Sequence, residues 1–401
     1  ALASFAFLGC ADAGSKREGL RVSVYDSAGV TIVANGALDD APDLLRSPEP
    51  TVRIGVVEGP EEYQLFRVAD IKRLGDGAIV VANGGGRDVR FYESDGTHRA
   101  TAGGPGPGPA EFGFPTALVV LSGDTLHVQD RMDRVVFDRD GAFLSRKTQD
   151  LAVLNKIWEE IGGYAEGGRW VPDGTLLAPV YRRDVDRPQP GPLFRPHITL
   201  VRVSEDLSET DILGEYGGIQ QQYVEVGGRF GVMPIVPPFT LNTSWASGPQ
   251  DGTIVIGDNS SPQIDLFGPE GERTMVRWDA EAEPITDEVL EAWKEVRRTS
   301  SWVTDQLQEL ERGWAAMDVP DTKAFYGRVT AGSDGTIWMS GSMLTPDSTR
   351  LFAFGSDGVL LGKVAVPGTF VPFDSGPGWV VGLFRGEADV EFIHLYELEI
   401  S

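Results

Sequence analysis

Short runs in which apolar, β-branched residues alternate with polar ones recur along this chain, each closed by a turn of Gly and Asp. The first half of the recurring unit is a turn followed by an alternating strand: Gly75-Asp76-Gly77 ahead of AIVVAN, Gly123-Asp124 ahead of TLHVQD, Asp173-Gly174 ahead of TLLAPV, Asp251-Gly252 ahead of TIVIGD, and Asp334-Gly335 ahead of TIWMSG. The second half is another short strand running into a second turn, as in VRFYESDG ending at Gly96, VVFDRDG at Gly141, IDLFGPEG at Gly271 and LFAFGSDG at Gly358. A period of two reads as a strand, and Asp-Gly supplies the positive φ of a tight hairpin, so each unit is predicted to be a small antiparallel meander.

Five units are countable, and Trp379-Val380-Val381-Gly382-Leu383-Phe384 followed by VEFIHLYEL up to Leu398 implies a sixth. One meander cannot bury both of its faces, and a closed ring of copies removes the sheet edges that a linear stack would expose. The pattern predicts an all-β, six-bladed β-propeller spanning residues 20–401 as a single domain. The strands RVSVYDSAGVTIVAN, ending at Asn35, and TVRIG, ending at Gly55, lack a full unit of their own, so residues 20–55 are expected to close the last blade.

Two stretches break the rhythm. From Leu151 to Phe239 the third unit is enlarged by NKIWEEIGGY, which reads as a short helix, and by DRPQPGPLFRPH and GVMPIVPPF, which read as Pro-rich loops. Between the fourth and fifth units, residues 281–319 carry no glycine until Gly313. Thr286, Asp287 and Glu288 make a cap and an acidic first turn, and Val289, Leu290, Trp293 and Val296, then Trp302, Val303, Leu307, Leu310, Trp314 and Met317, recur at spacings of three and four. A short α-helical insertion of one or two amphipathic helices is expected there, between blades 4 and 5.

Composition and charge narrow the partners. The 401 residues include 50 Gly and 26 Pro, as a turn-rich chain requires, and carry a formal charge of −25. That charge excludes a phosphate-tracking surface, so nucleic acid is not a partner; it also repels anionic lipid, so membrane attachment must be apolar or covalent. The one cysteine, Cys10, excludes an intrachain disulfide framework. It ends the apolar run ALASFAFLGC and is followed by Ala11-Asp12-Ala13-Gly14-Ser15, an arrangement that resembles the tail of a bacterial lipoprotein signal peptide. Residues 1–19 are read as a leader and linker of signal or lipid-anchor type, with Cys10 as the lipid anchor and the body on the periplasmic side of a bacterial membrane. Because processing would remove the residues ahead of Cys10, their presence points to an uncleaved anchor or a retained leader, held within a membrane complex.

The linker GGPGPGPAEFGFP, from Gly103 to Pro115, resembles that of the bacterial six-bladed propeller family related to NHL repeats, a Gly-rich turn ending in Gly-Pro-Gly-Glu-Phe. Ala110 stands where the third glycine is usual. The segments DSAGVTIVAN and VVGLFRGEADVEFIHLYEL extend the resemblance over nearly the whole chain. It implies the six-bladed fold and no single activity. Related propellers that act as lactonases or lyases gather metal ligands in the central channel from several blades, which keeps that chemistry as an alternative.

Catalytic patterns are sparse in the residues themselves. His98, His127, His197 and His394 are scattered, no Gly-x-Ser-x-Gly elbow precedes a helix, and no histidine pair has metal-ligand spacing. Asp124, Asp130, Asp133, Asp138 and Asp140 crowd one unit and would suit calcium, although most occupy turns where Asp caps its own backbone. Trp158, Trp293, Trp302 and Trp314 lie in the two interruptions and are the candidate partner-binding residues, with helix packing as their other role. The reading that follows is a non-enzymatic, membrane-tethered periplasmic propeller, an extrinsic scaffold subunit stabilising a membrane protein complex of photosynthetic reaction centre or respiratory type. A calcium-dependent hydrolase or lyase with its site in the channel, and a sensor for a small ligand or peptide, are the alternatives.

Overall fold

The computed structural model describes residues 21–165, 167–182, 189–227, 231–248, 252–298, 307–342, 348–386 and 389–399. The leader with Cys10, and Trp302, lie outside these residues. The described chain starts with a hairpin, β1 (Val22–Ser27) and β2 (Val30–Asn35), then a short strand, β3 (Val52–Ile54). Blade one is β4 (Val68–Arg73), β5 (Ile79–Asn83), β6 (Asp88–Tyr92) and β7 (His98–Gly103). Blade two is β8 (Pro115–Leu121), β9 (Thr125–Asp130), β10 (Asp133–Phe137) and β11 (Phe143–Lys147). A helix, α1 (Leu151–Ile161), leads to blade three, in which β12 (Gly163–Ala165) and β13 (Arg169–Trp170) share one edge of β14 (Leu176–Arg182), followed by β15 (His197–Val203) and β16 (Thr210–Gly217).

A second hairpin, β17 (Gln222–Gly227) and β18 (Gly231–Ile235), precedes blade four, made of β19 (Thr243–Ser247), β20 (Ile254–Asp258), β21 (Gln263–Phe267) and β22 (Arg273–Trp278). Helices α2 (Asp287–Arg298) and α3 (Leu307–Ala316) separate it from blade five, which is β23 (Val329–Ala331), β24 (Ile337–Ser340), β25 (Ser348–Phe354) and β26 (Leu360–Pro367). Blade six comprises β27 (Thr369–Gly376), β28 (Trp379–Arg385) and β29 (Glu391–Glu397), with β3 as its fourth strand. The all-β six-bladed propeller with a helical insertion between blades four and five is thus the fold.

The N-terminal segment is arranged differently from expectation. Only β3 pairs with the last blade, Ile54 opposite Ile393 and Val52 opposite Leu395. The β1–β2 hairpin instead extends blade four, β2 running parallel to β22. Between them Asp43 bridges Lys363 in blade five and Leu45 bridges Leu398, so residues 22–54 form a belt along the outer edges of three blades. The physical reason is that β22 offers an unpaired edge and Asn35 a buried amide, which donates to the carbonyls of Arg277 and Gly358 and accepts from the N–H of Leu360.

The repeated turns work as the pattern implies. Gly77 holds φ at +91° while the Asp76 carboxylate accepts the N–H of Ala78 at 3.0 Å, and Asp95, Asp173, Asp334 and Asp357 cap their turns in the same way. Apolar faces pack between neighbouring blades; Val80, Val89 and Phe91 of blade one meet Leu118, Val128 and Phe137 of blade two. Inner strands are tied across blades by side chains: Asp70 accepts the N–H of Leu118, Ser244 that of Val329, and Asp374 that of Arg73.

GVMPIVPPF, expected as a loop, contributes β18. Its hairpin packs under α2 and α3, where Val224, Ile235, Met233, Trp293, Leu310, Trp314 and Met317 make a separate small core. Gln222 locks the two excursions together, donating to the Asp318 carboxylate at 3.1 Å and accepting the Asp318 N–H at 2.7 Å.

Candidate functional site

The six innermost strands enclose a central channel of about 830 Å³. All six begin at the same end of the channel, the upper end, where the linkers from the preceding blades arrive. Arg169 opens β13, Arg328 directly precedes β23, and Arg385 pairs with Thr369, the first residue of β27. Three blades therefore deliver three arginines to one end of the channel, where each is among the residues lining it. Lys72 and Arg73, at the far end of β4, line the opposite end.

The carboxylates around these cations are already engaged. Asp70 is buried, accepts the N–H groups of Ile71 and Leu118, and stands 3.6 Å from Arg169. Glu391 accepts the N–H of Val68 and pairs with Arg385 at 3.2 Å. Asp374 accepts from Arg73 N, Ser333 N, Ser333 Oγ and Ser375 N, and lies 3.8 Å from Lys72. Five cations thus outnumber the three carboxylates that touch them, in a chain whose net charge is −25.

Arg328 accounts for much of the excess. Among the described residues it makes no ion pair; its guanidinium lies 5.8 Å from the Phe373 ring centre. Its side chain is solvent-exposed at the channel wall. The protein packed around it first, then the charge of Arg169, lowers its pKa; Asp70 opposes this and Arg385 adds to it. A cation disfavoured by its surroundings and lacking a carboxylate gains from any anion that arrives.

The channel does not fit a calcium ion, which takes six to eight oxygen ligands. One carboxylate, Asp70, is among the described lining residues, and three guanidiniums crowd the same end. Among the described residues no group of three His, Cys, Asp or Glu is placed to hold a metal. The five aspartates of blade two are not gathered either. Asp124 accepts the N–H of Gly75, Asp130 accepts those of Gly113 and Phe114, Asp130 and Asp133 grip Arg146, and Asp138 caps its own turn.

Of the tryptophans expected as partner anchors, Trp158, Trp293 and Trp314 are among the described residues, and all three pack against apolar neighbours. Trp158 is buried between α1 and blade three beside Trp170 and Val201, because α1 turns its apolar stripe onto that blade. Trp314 is buried and meets half-buried Trp293 edge-on at 5.6 Å in the core shared by the second hairpin and helices, which is the packing role. Sequence reasoning missed the channel arginines, and the signal available was faint: Arg169 and Arg328 each stand at the start of an inner strand of a repeat.

No protein-family model and no curated protein matches the chain. Among solved structures, a protein of Bacteroides fragilis described as exported is 11% identical, with a TM-score of 0.46 over 92% of this chain and 99% of that one. A calcium-binding regucalcin from Agrobacterium tumefaciens is 12% identical, with a TM-score of 0.38 over 90% of this chain and 96% of that one. A gluconolactonase from Xanthomonas campestris is 14% identical, with a TM-score of 0.39 over 95% of both chains. The six-bladed architecture of this chain is read from its own sheets.

Proposed function

We propose that the protein is a binding propeller whose channel takes an anionic ligand at its upper end, clasped by Arg169, Arg328 and Arg385. The observation that carries this is Arg328, a guanidinium without a carboxylate partner between two others. Binding is favoured over turnover because the described lining holds neither histidine nor cysteine. The test is a thermal-shift and calorimetric titration with citrate and phosphate against chloride at matched ionic strength. Citrate should raise Tm, and Arg328→Ala should weaken it roughly tenfold or more while leaving the unliganded protein as stable as the parent or more so. Equal citrate affinity in parent and variant would rule the site out.

The leader supports the second part of the reading, that the propeller sits outside the cytoplasm, tethered through Cys10 as an extrinsic subunit of a membrane assembly. No helix among the described residues is long and apolar enough to cross a membrane. One acyl chain binds only marginally, so a durable tether needs two chains or a protein partner. Alkaline carbonate washing of membranes should leave the protein in the pellet and release it after Cys10→Ala with residues 1–9 removed; release of the intact parent would count against the tether.

A further inference from the structure

The upper face carries another feature, on blades one and two. Phe66 and Phe114 each stand two residues ahead of a channel-lining residue, Val68 and Thr116, in the linkers that feed β4 and β8. The two residues are 60% and 43% exposed. Both are held rather than loose: the Asn83 carboxamide accepts the N–H of Phe66 at 3.0 Å, and Asp130 accepts that of Phe114 at 2.7 Å. The turn between β5 and β6 joins them, since a Cβ on Gly84 would stand 2.7 Å from the Arg67 carbonyl and 3.7 Å from that of Pro115.

Three exposed arginines stand in the turns near these phenylalanines. Arg67 lies 5.1 Å from the Phe66 ring centre, Arg87 ends the glycine turn, and the Arg131 guanidinium approaches Gly113, its Nε 3.7 Å from a Cβ built there. Among the described residues none of the three makes an ion pair. All are in the left-handed backbone region, at φ of +53°, +55° and +57°, where glycine would sit without strain.

We infer that the crescent of Phe66, Phe114, Arg67, Arg87 and Arg131 docks an extended acidic peptide segment that also carries an apolar side chain. Exposed aromatics in a preset frame are the usual anchors of an interface, and unpaired arginines beside them select carboxylates. A short segment feels this local field within a Debye length, whereas an anionic bilayer also meets the −25 charge of the whole chain. The inference goes beyond the channel reading and stands on other residues, so either can fail alone.

The test is selection of a random dodecapeptide phage library on the full-length protein, followed by fluorescence anisotropy with the enriched peptides. Enrichment of sequences combining Asp or Glu with an aromatic or aliphatic residue is expected. Their affinity should fall roughly tenfold in Phe66→Ala/Phe114→Ala and in Arg67→Ala/Arg131→Ala, and hold in Arg328→Ala. The substituted side chains are exposed, and unchanged melting curves confirm that each variant folds. Peptides with no acidic and apolar signature, affinity unchanged in the two double variants, or Phe66- and Phe114-dependent binding to phosphatidylglycerol vesicles in place of peptide would overturn the inference.

Discussion

His394, in strand β29, stacks on Phe384 with ring centres 4.4 Å apart, and its Nδ1 lies 3.2 Å from the Tyr396 hydroxyl while its buried Nε2 has no hydrogen-bond partner among the described residues. Burial first, then Arg53, pushes its pKa from the ordinary 6.5 down to about 4. A histidine depressed in the fold favours the native state only while neutral. Its contribution is complete above pH 6.5 and lost as pH falls toward 4, because the unfolded chain binds the proton first. At about 1.4 kcal/mol per pKa unit the loss amounts to about 3 kcal/mol. Urea titrations of the parent across that window should show this slope in excess of His394→Gln; parallel pH profiles would show that His394 is not its source. From the sequence, His394 was only a histidine in a strand. Its neutrality follows from Phe384 and Arg53, which lie on other stretches of the chain.

The elements show how far periodicity reaches. The stripe on residues 287–298 and 307–316 correctly announced helices, but not that the cover for that stripe would be a hairpin from the preceding blade linker. Pro234 and Pro237 made that linker read as a loop, whereas the Val224 and Ile235 side chains become part of a core once α3 lies over them. Each excursion completes the other, so their losses should not add. Replacing residues 285–321 by a Gly-Ser link at the Pro284–Thr322 bridge should cost on the order of 3 kcal/mol, as should excising the hairpin between Gln220 and Leu241. Removing both should cost little more than removing one. Strictly additive losses in chemical denaturation would show that the two pack independently.

For the whole molecule the decisive join is β3, which pairs with β29 and completes blade six as its fourth strand. A chain starting at residue 37 keeps that join and loses only the blade-four hairpin with the three hydrogen bonds of Asn35. It should fold with a lowered midpoint and one cooperative transition. A chain starting at residue 56 exposes β29 and the inner face of blade one, and should lose cooperative melting altogether. Equal melting of the two truncations in calorimetry would mean that closure does not govern stability here.

Local patterning determined the parts of this protein that depend on neighbours in sequence: the meanders, the Asp-Gly turns that need positive φ, the helices with one apolar stripe, and, through the number of units, the ring. Those features follow from side-chain alternation and backbone geometry a few residues at a time. Only the tertiary structure decided that the N-terminal belt crosses three blades, that Trp158 and Trp314 face inward, and that Arg169, Arg328 and Arg385 meet. These arginines are separated by more than a hundred residues of chain in the first gap and by all of blade five and the first two strands of blade six in the second, and no local rule joins them. Ring closure does, because it brings the starts of all inner strands to one mouth, where three positive charges share a space with a single exposed-to-channel carboxylate already held by backbone N–H groups.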